Sequence, residues 1–297
     1  MSNGIIHLTT YSRPEILEKC LLSIYSARNS SQYKKIIVLQ TGNSKVEKLI
    51  YAFADDNTQV IEVAGIGKTP LQNMNMNRWI GLQNSFMHQG AEWVLCLEED
   101  VEIHPDSLVF INQVFEVYRI NRHFRGINLA SACESDLSGE GFSLLRFGTH
   151  ANAGVITRST WNRLNRLRID KTLNSFALDS SMEPSFRSGF IVTPNASLII
   201  DYGNIGGTHI SETENSDFFQ KIRRSFEIRM QVTTSSFNLN QHSHLNWRSD
   251  CKDFNQEENL KFLLLEYLLR LRNTVSYHKS HRFLRNLKRS LLGRPLI

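Results

Sequence analysis

The 297-residue chain is 41% hydrophobic and 21% charged, long enough to bury a substantial core and free of the low-complexity tracts that accompany disorder. Its four cysteines (Cys20, Cys96, Cys133, Cys251) lie far apart with no CxxC spacing, which argues against a zinc knuckle or a disulfide framework and for reduced thiols in a cytosolic protein. The net charge of +5 is uneven: residues 260–297 hold nine of the 34 Lys/Arg and one of the 29 Asp/Glu, so the remainder has 25 basic against 28 acidic residues. Met1-Ser2-Asn3-Gly4 runs directly into an alternating strand without a charged-then-apolar leader, so a secretory signal is not expected. No apolar stretch reaches the ~20 residues needed to span a bilayer.

Residues 4–10 read as a first strand, and Tyr11-Ser12-Arg13-Pro14 as the turn into a helix whose buried stripe is Leu17, Cys20, Leu21 and Ile24. A second strand over 35–40, a helix over 45–54 and a third strand over 58–63 complete a βαβαβ opening typical of nucleotide-binding α/β domains. Gly65-Ile66-Gly67-Lys68-Thr69 superficially suggests a phosphate loop, but Glu62 stands where the first glycine of that motif is required. A long helix is expected from Leu71 through Met87, carrying Asn77-Arg78-Trp79. Trp79 suits ordinary packing, and Arg78 suits either a surface charge or an anion donor.

The most informative stretch follows. Trp93 to Leu97 is a short apolar run that reads as a buried strand, and it ends abruptly in Glu98-Glu99-Asp100, before Val101-Glu102-Ile103-His104-Pro105-Asp106. In open α/β sheets ligands collect at the carboxyl ends of strands, so acids placed there face a crevice. Three adjacent carboxylates repel one another unless a cation sits among them, and a hard divalent ion shared with a diphosphate would fill that need. The alternative is a solvated strand-to-helix turn, with Pro105 and Asp106 favouring the start of a helix.

After a helix to about Tyr118, Ile127–Ala132 reads as a strand and Ser135–Gly141 as a polar loop on the acceptor side. Small residues around Ala151–Gly154 lead into a strand, and Ser159-Thr160-Trp161 begins a helix. Asp179 lies in an apolar, helical stretch, either as a functional carboxylate or as a cap. Short strands over 189–194 and 197–200 precede a glycine-rich loop, residues 202–209, where His209 reads as a metal or phosphate ligand or as an ordinary loop histidine.

In this order the features resemble the metal-dependent GT-A glycosyltransferases, and within them the N-acetylglucosaminyltransferase I group with the related protein O-mannose enzymes. The resemblance covers roughly residues 4–215, and five pieces carry it: Arg78-Trp79; the strand ending in Glu98-Glu99-Asp100; Ala153-Gly154-Val155 before Trp161; Asp179; and Pro194 with Gly203 and His209. It implies an α/β GT-A fold, a Rossmann-like mixed sheet flanked by helices. It implies Mn²⁺ or Mg²⁺ as cofactor, with Asp100 and His209 as metal ligands. It implies donor contacts from Thr10, Arg13, Arg78, Glu98 and Glu99, and Asp179 as the general base. The chain departs from that pattern at Glu99, where the group prefers Asp, at Thr41 and Met76, where it has Asp and His, and at Leu178, which replaces a Trp.

The function expected is inverting transfer of a sugar, N-acetylglucosamine by the resemblance, from a UDP-linked donor to a glycan or lipid-linked glycan acceptor in cell-surface polysaccharide or lipopolysaccharide synthesis. Two alternatives stand beside it: a sugar-phosphate nucleotidyltransferase, and an inactive sugar-nucleotide-binding scaffold. Residues 1–225 are expected to form the catalytic domain and 226–297 a helical basic segment. In that tail, leucines from Leu260 to Leu292 recur with Arg270, Arg282, Arg285, Lys288 and Arg289, as in amphipathic helices lying on an anionic membrane or on a partner protein. Peripheral attachment at the inner face of the plasma membrane is expected. Nucleic acid is not an expected partner, since the tail is poor in stacking aromatics.

Overall fold

The computed structural model describes residues 3–65, 69–131, 141–145, 153–166, 189–203 and 216–231. The side-chain alternation of the first strand, β1 (Gly4–Thr10), sets the architecture. Ile6 and Leu8 enter one core and Ile5 the opposite one, so the strand is buried on both faces and needs a helical layer on each. On the first face lie α1 (Pro14–Ser26), α2 (Ser44–Phe53) and later α4 (Ser107–Tyr118), contributing Leu17, Leu21, Val46, Ile50, Phe110 and Val114. On the second lie α3 (Pro70–Gln83) and α5 (Arg158–Arg166), with Trp79, Leu82, Trp161 and Leu164. A Cβ on Gly81 would lie 2.0 Å from the His7 ring, so glycine is what lets α3 settle directly onto β1.

The main sheet has eight strands among the described residues. With β2 (Lys34–Gln40), β3 (Thr58–Val63), β4 (Trp93–Glu98), β6 (Phe124–Asn128), β7 (Phe142–Leu145), β8 (Ala153–Thr157) and β9 (Phe190–Pro194), its order is β3-β2-β1-β4-β8-β6-β9-β7. The first four strands run parallel; β8 is antiparallel to both β4 and β6. This is the expected α/β mixed sheet flanked by helices. The chain leaves β1 toward β2 on one side while β4 pairs on the other. The carboxyl ends of β1 and β4 therefore flank a topological switch point, where an open α/β sheet presents a crevice. Beside it, β5 (Val101–Ile103) and β10 (Ile199–Asp201) form a separate antiparallel ribbon.

Several expectations are corrected. The helix expected through Met87 ends at Gln83 and is followed by one π-helical turn, Asn84–His88. There the buried Ser85 hydroxyl donates to the Gly81 carbonyl at 2.8 Å, an interaction that competes with regular helical bonding. The strand expected over 127–132 is centred earlier, at Phe124–Asn128, because the buried Arg125 and Gly126 disguise its apolar character. The strand β7 falls just beyond the expected loop, and the strand expected over 197–200 is β10, ending one residue later at Asp201. In the last described helix, α6 (Ser216–Met230), Arg229 Nη2 stands 3.0 Å from Asp106 Oδ2. Asp179, His209, most of the 135–141 loop and the 260–297 tail lie outside the described residues.

Candidate active site

The crevice at the switch point is a cleft open to solvent. One wall is the β1–α1 turn, Thr9 to Arg13; the other is the first turns of α3, with Pro70, Met74 and Asn77; Glu98 and Glu99 form the end. Thr69 caps α3 by accepting from the Gln72 amide at 3.2 Å, and Pro70 occupies its first turn, where a missing N–H costs nothing.

Each acid that ends β4 is in a different situation. Glu98 forms an ion pair with Arg78, whose side chain is 2% exposed, so the Arg78 guanidinium is committed to neutralising a cleft carboxylate. Glu99 reaches across to the turn after β1. It accepts from the Tyr11 amide, from the Ser12 amide at 3.1 Å and from Arg13 Nε at 3.2 Å. Such charge-assisted bonds contribute about 1.5–3 kcal/mol each, so Glu99 clamps the turn that walls the cleft. Asp100 is 4% exposed; its Oδ2 accepts from Arg13 Nη2 at 2.8 Å, and its Oδ1 is buried with no hydrogen-bond partner among the described residues. Thr10 lines the cleft but turns its hydroxyl inward, donating to the Val38 carbonyl at 3.2 Å.

A residue that the sequence reading left unassigned completes the acidic centre. The end of β10 brings Asp201, 3% exposed, beside Asp100: Asp201 pairs in register with Val101, and the Tyr202 amide donates to the Asp100 carbonyl at 2.8 Å. Oxygens of both carboxylates border one small space. A Cβ built on Gly203 would stand 2.9 Å from Asp201 Oδ1 and 3.3 Å from Asp100 Oδ2. The signal was present in the sequence, because Ile199-Ile200-Asp201 repeats in miniature the apolar-to-acidic change that singled out the end of β4.

The electrostatics follow from this crowding. Burial, followed by the neighbouring Asp201 carboxylate, raises the Asp100 pKa, and Arg13 works against that rise. For Arg13 burial disfavours the charge, but Asp100 and Glu99 outweigh it and hold the guanidinium above its ordinary value. Among the described residues no three His, Cys, Asp or Glu side chains form a ready-made metal cluster. The donor chemistry nonetheless fits a hard divalent cation: two buried carboxylates, one orphaned oxygen, and a space kept open by a glycine, with the remaining positions left for water or phosphate oxygens.

Of the residues singled out from sequence, Thr10, Arg13, Glu98 and Glu99 line one cleft, with Arg78 paired to Glu98 and Asp100 paired to Arg13 behind its lining. The fold and site together define a mixed α/β protein with an acidic centre at its switch point. No family model matches the chain, and no curated protein does. Solved structures do resemble it. One is the mannosyltransferase PcManGT from Pyrobaculum calidifontis in complex with GDP-Man and Mn²⁺, at 12% identity and a TM-score of 0.40, over 55% of this chain and 46% of that one. Another is S. aureus TarS 1–349, at 10% identity and a TM-score of 0.45, over 99% and 92% of the two chains. A third is the mannose-1-phosphate geranyltransferase from Thermus thermophilus, at 11% identity and a TM-score of 0.38, over 65% and 74%. At these TM-scores the likenesses carry nothing about what this chain binds or does.

Proposed function

We propose that the protein is a metal-dependent glycosyltransferase that binds a sugar nucleotide in the β1–α3–β4 cleft. The observation that carries this reading is the buried Asp100 with its orphaned Oδ1, set beside Asp201 and against Arg13, which lines the switch-point crevice. Leaving a carboxylate oxygen buried and unpartnered costs about 1–3 kcal/mol or more, a cost relieved when a ligand is bound. Mn²⁺ or Mg²⁺ held by Asp100 and Asp201 would supply charge neutralisation to a leaving diphosphate. The chain's own residues supply the rest. Glu99 fixes the β1–α1 turn, Arg78 holds Glu98 in place at the end of the cleft, and Asn77 and Met74 give the cleft a mixed polar and apolar wall suited to a nucleoside.

The finer reading is inverting transfer from a UDP-linked donor, with N-acetylglucosamine as the sugar, to a glycan or lipid-linked glycan. In it Asp179 takes the proton from the acceptor hydroxyl, a role worth on the order of 10²–10⁴ in rate. His209 joins Asp100 at the metal, and residues 260–297 hold the protein to an anionic membrane surface, which co-flotation with phosphatidylglycerol vesicles would detect and failure to float would refute.

The test is a product-resolved assay with UDP-, GDP-, CMP- and dTDP-sugars, with and without Mn²⁺. A glycosyltransferase releases the nucleotide and the free or transferred sugar, only with metal and not in Asp179→Ala. A nucleotidyltransferase would instead release pyrophosphate from a nucleoside triphosphate and a sugar 1-phosphate. Absence of both products would leave a binding protein and overturn the proposal.

A further inference from the structure

Arg13 stands in an unusual position for a residue of a ligand cleft. It lines the cleft, whereas Asp100 does not, yet its Nη2 lies 2.8 Å from Asp100 Oδ2 and its Nε lies 3.2 Å from Glu99 Oε1. Its third nitrogen, Nη1, is buried without a hydrogen-bond partner among the described residues. Arg13 therefore makes an ion pair with the very carboxylate whose other oxygen is orphaned. A guanidinium and a divalent cation that meet at one carboxylate repel each other, and the repulsion offsets part of what each gains from it.

We propose that Arg13 is the internal counter-ion of the acidic centre: it neutralises Asp100 in the metal-free chain, and leaves Asp100 when a divalent cation binds. This rests on the cation site proposed above. The displacement is local, because Glu99 remains as a partner through Nε while Nη1 and Nη2 turn toward the cleft. There the freed fork meets the diphosphate that would share the cation, and guanidinium suits phosphate in both charge and geometry. One side chain thus lowers affinity for the bare cation and raises affinity for the cation together with its diphosphate. It also explains how a pair of buried carboxylates survives folding before any metal arrives.

The two effects have opposite signs, which a merely structural role would not produce. Mn²⁺ binding is measured by titration calorimetry on wild type, Arg13→Gln and Asp100→Asn, and UDP binding is then measured at saturating Mn²⁺. Arg13→Gln is expected to bind Mn²⁺ about 10-fold more tightly and to bind UDP in its presence about 10-fold more weakly. Arg13→Lys, which keeps the charge without the fork and guards against a Gln variant that does not fold, is expected between the two on both scales. Equal or weaker Mn²⁺ binding by the Arg13 variants, with binding still lost in Asp100→Asn, overturns the counter-ion role and leaves the cation site standing. Absence of Mn²⁺ and Mg²⁺ binding in wild type overturns the cation site, and the counter-ion role with it.

Discussion

Asp100 has two oxygens in different situations, one buried with no partner among the described residues and one, Oδ2, held by Arg13, and Oδ2 borders with Asp201 Oδ1 the space left by Gly203 just beyond β10. Gly203 is the smallest available probe of the space they share. A methyl group there would sit 2.9 Å from Asp201 Oδ1 and 3.3 Å from Asp100 Oδ2, too close to leave room for a cation. Gly203→Ala is therefore expected to weaken Mn²⁺ binding at least about 10-fold in calorimetry, while lowering the stability of the chelator-treated protein by only about 1–3 kcal/mol. Unchanged Mn²⁺ affinity would move the cation away from this space. At this scale the sequence revealed the acids of β4 through the abrupt end of an apolar run. It did not reveal that Glu99 is taken up by the Tyr11 and Ser12 amides, because that contact joins residues 88 and 87 positions apart.

At the scale of elements, the second face of the sheet depends on how α3 and α5 meet. Trp161 is fully buried, with its ring centroid 4.8 Å from Trp79 and 5.3 Å from Phe86, while its indole N–H has no partner among the described residues. Trp161→Ala is expected to cost about 3–5 kcal/mol through lost burial and cavity formation. Trp161→Phe is expected to cost less than about 1.5 kcal/mol, since it keeps an aromatic in the stack and removes an unsatisfied donor. Urea denaturation of both variants checks this; a loss in Trp161→Phe as large as that in Trp161→Ala would contradict it. The early elements were legible to within a residue, as with β3 at Thr58–Val63, because local periodicity and turn residues specify a βαβ opening. What escaped was the π turn, set by the local Ser85 back-bond to Gly81, and two strands set by their surroundings, β6 by burial of Arg125 and β7 by its pairing with β9.

At the scale of the whole molecule, two buried histidines among the described residues make stability sensitive to acid. His7 lies under α3, its Nδ1 3.2 Å from the Ile36 carbonyl, and burial lowers its pKa to about 4 despite that bond. His104 is likewise lowered to about 4, by burial first and against the pull of Asp106, and its Nδ1 accepts from the Asp106 amide at 3.0 Å. Both are neutral when folded, whereas an unfolded histidine takes up a proton near pH 6.5. Between about pH 6.5 and pH 4 the unfolded chain binds more protons, so stability falls as pH falls through that window. The loss reaches about 3 kcal/mol for His7 at the lower limit, and less for His104. Urea midpoints measured with chelator from pH 7.5 to 4.5 should decline below about pH 6.5, less steeply in His7→Gln; a flat profile would contradict the buried neutral state. The order of strands that makes the switch point was legible only as a class, since pairing of β4 beside β1 and of β10 beside β5 joins segments that no local pattern connects.

The most direct measurement is thermal unfolding of wild type and Asp100→Asn with UDP-, GDP-, CMP- and dTDP-sugars, each with and without Mn²⁺. A ligand at a hundred times its Kd adds about 2.7 kcal/mol, enough to resolve clearly. The expected result is a shift with one nucleotide class that requires Mn²⁺ and is lost in Asp100→Asn. A shift of the same size without metal, one that survives Asp100→Asn, or none with any sugar nucleotide would contradict a cation-dependent donor site at the end of β4.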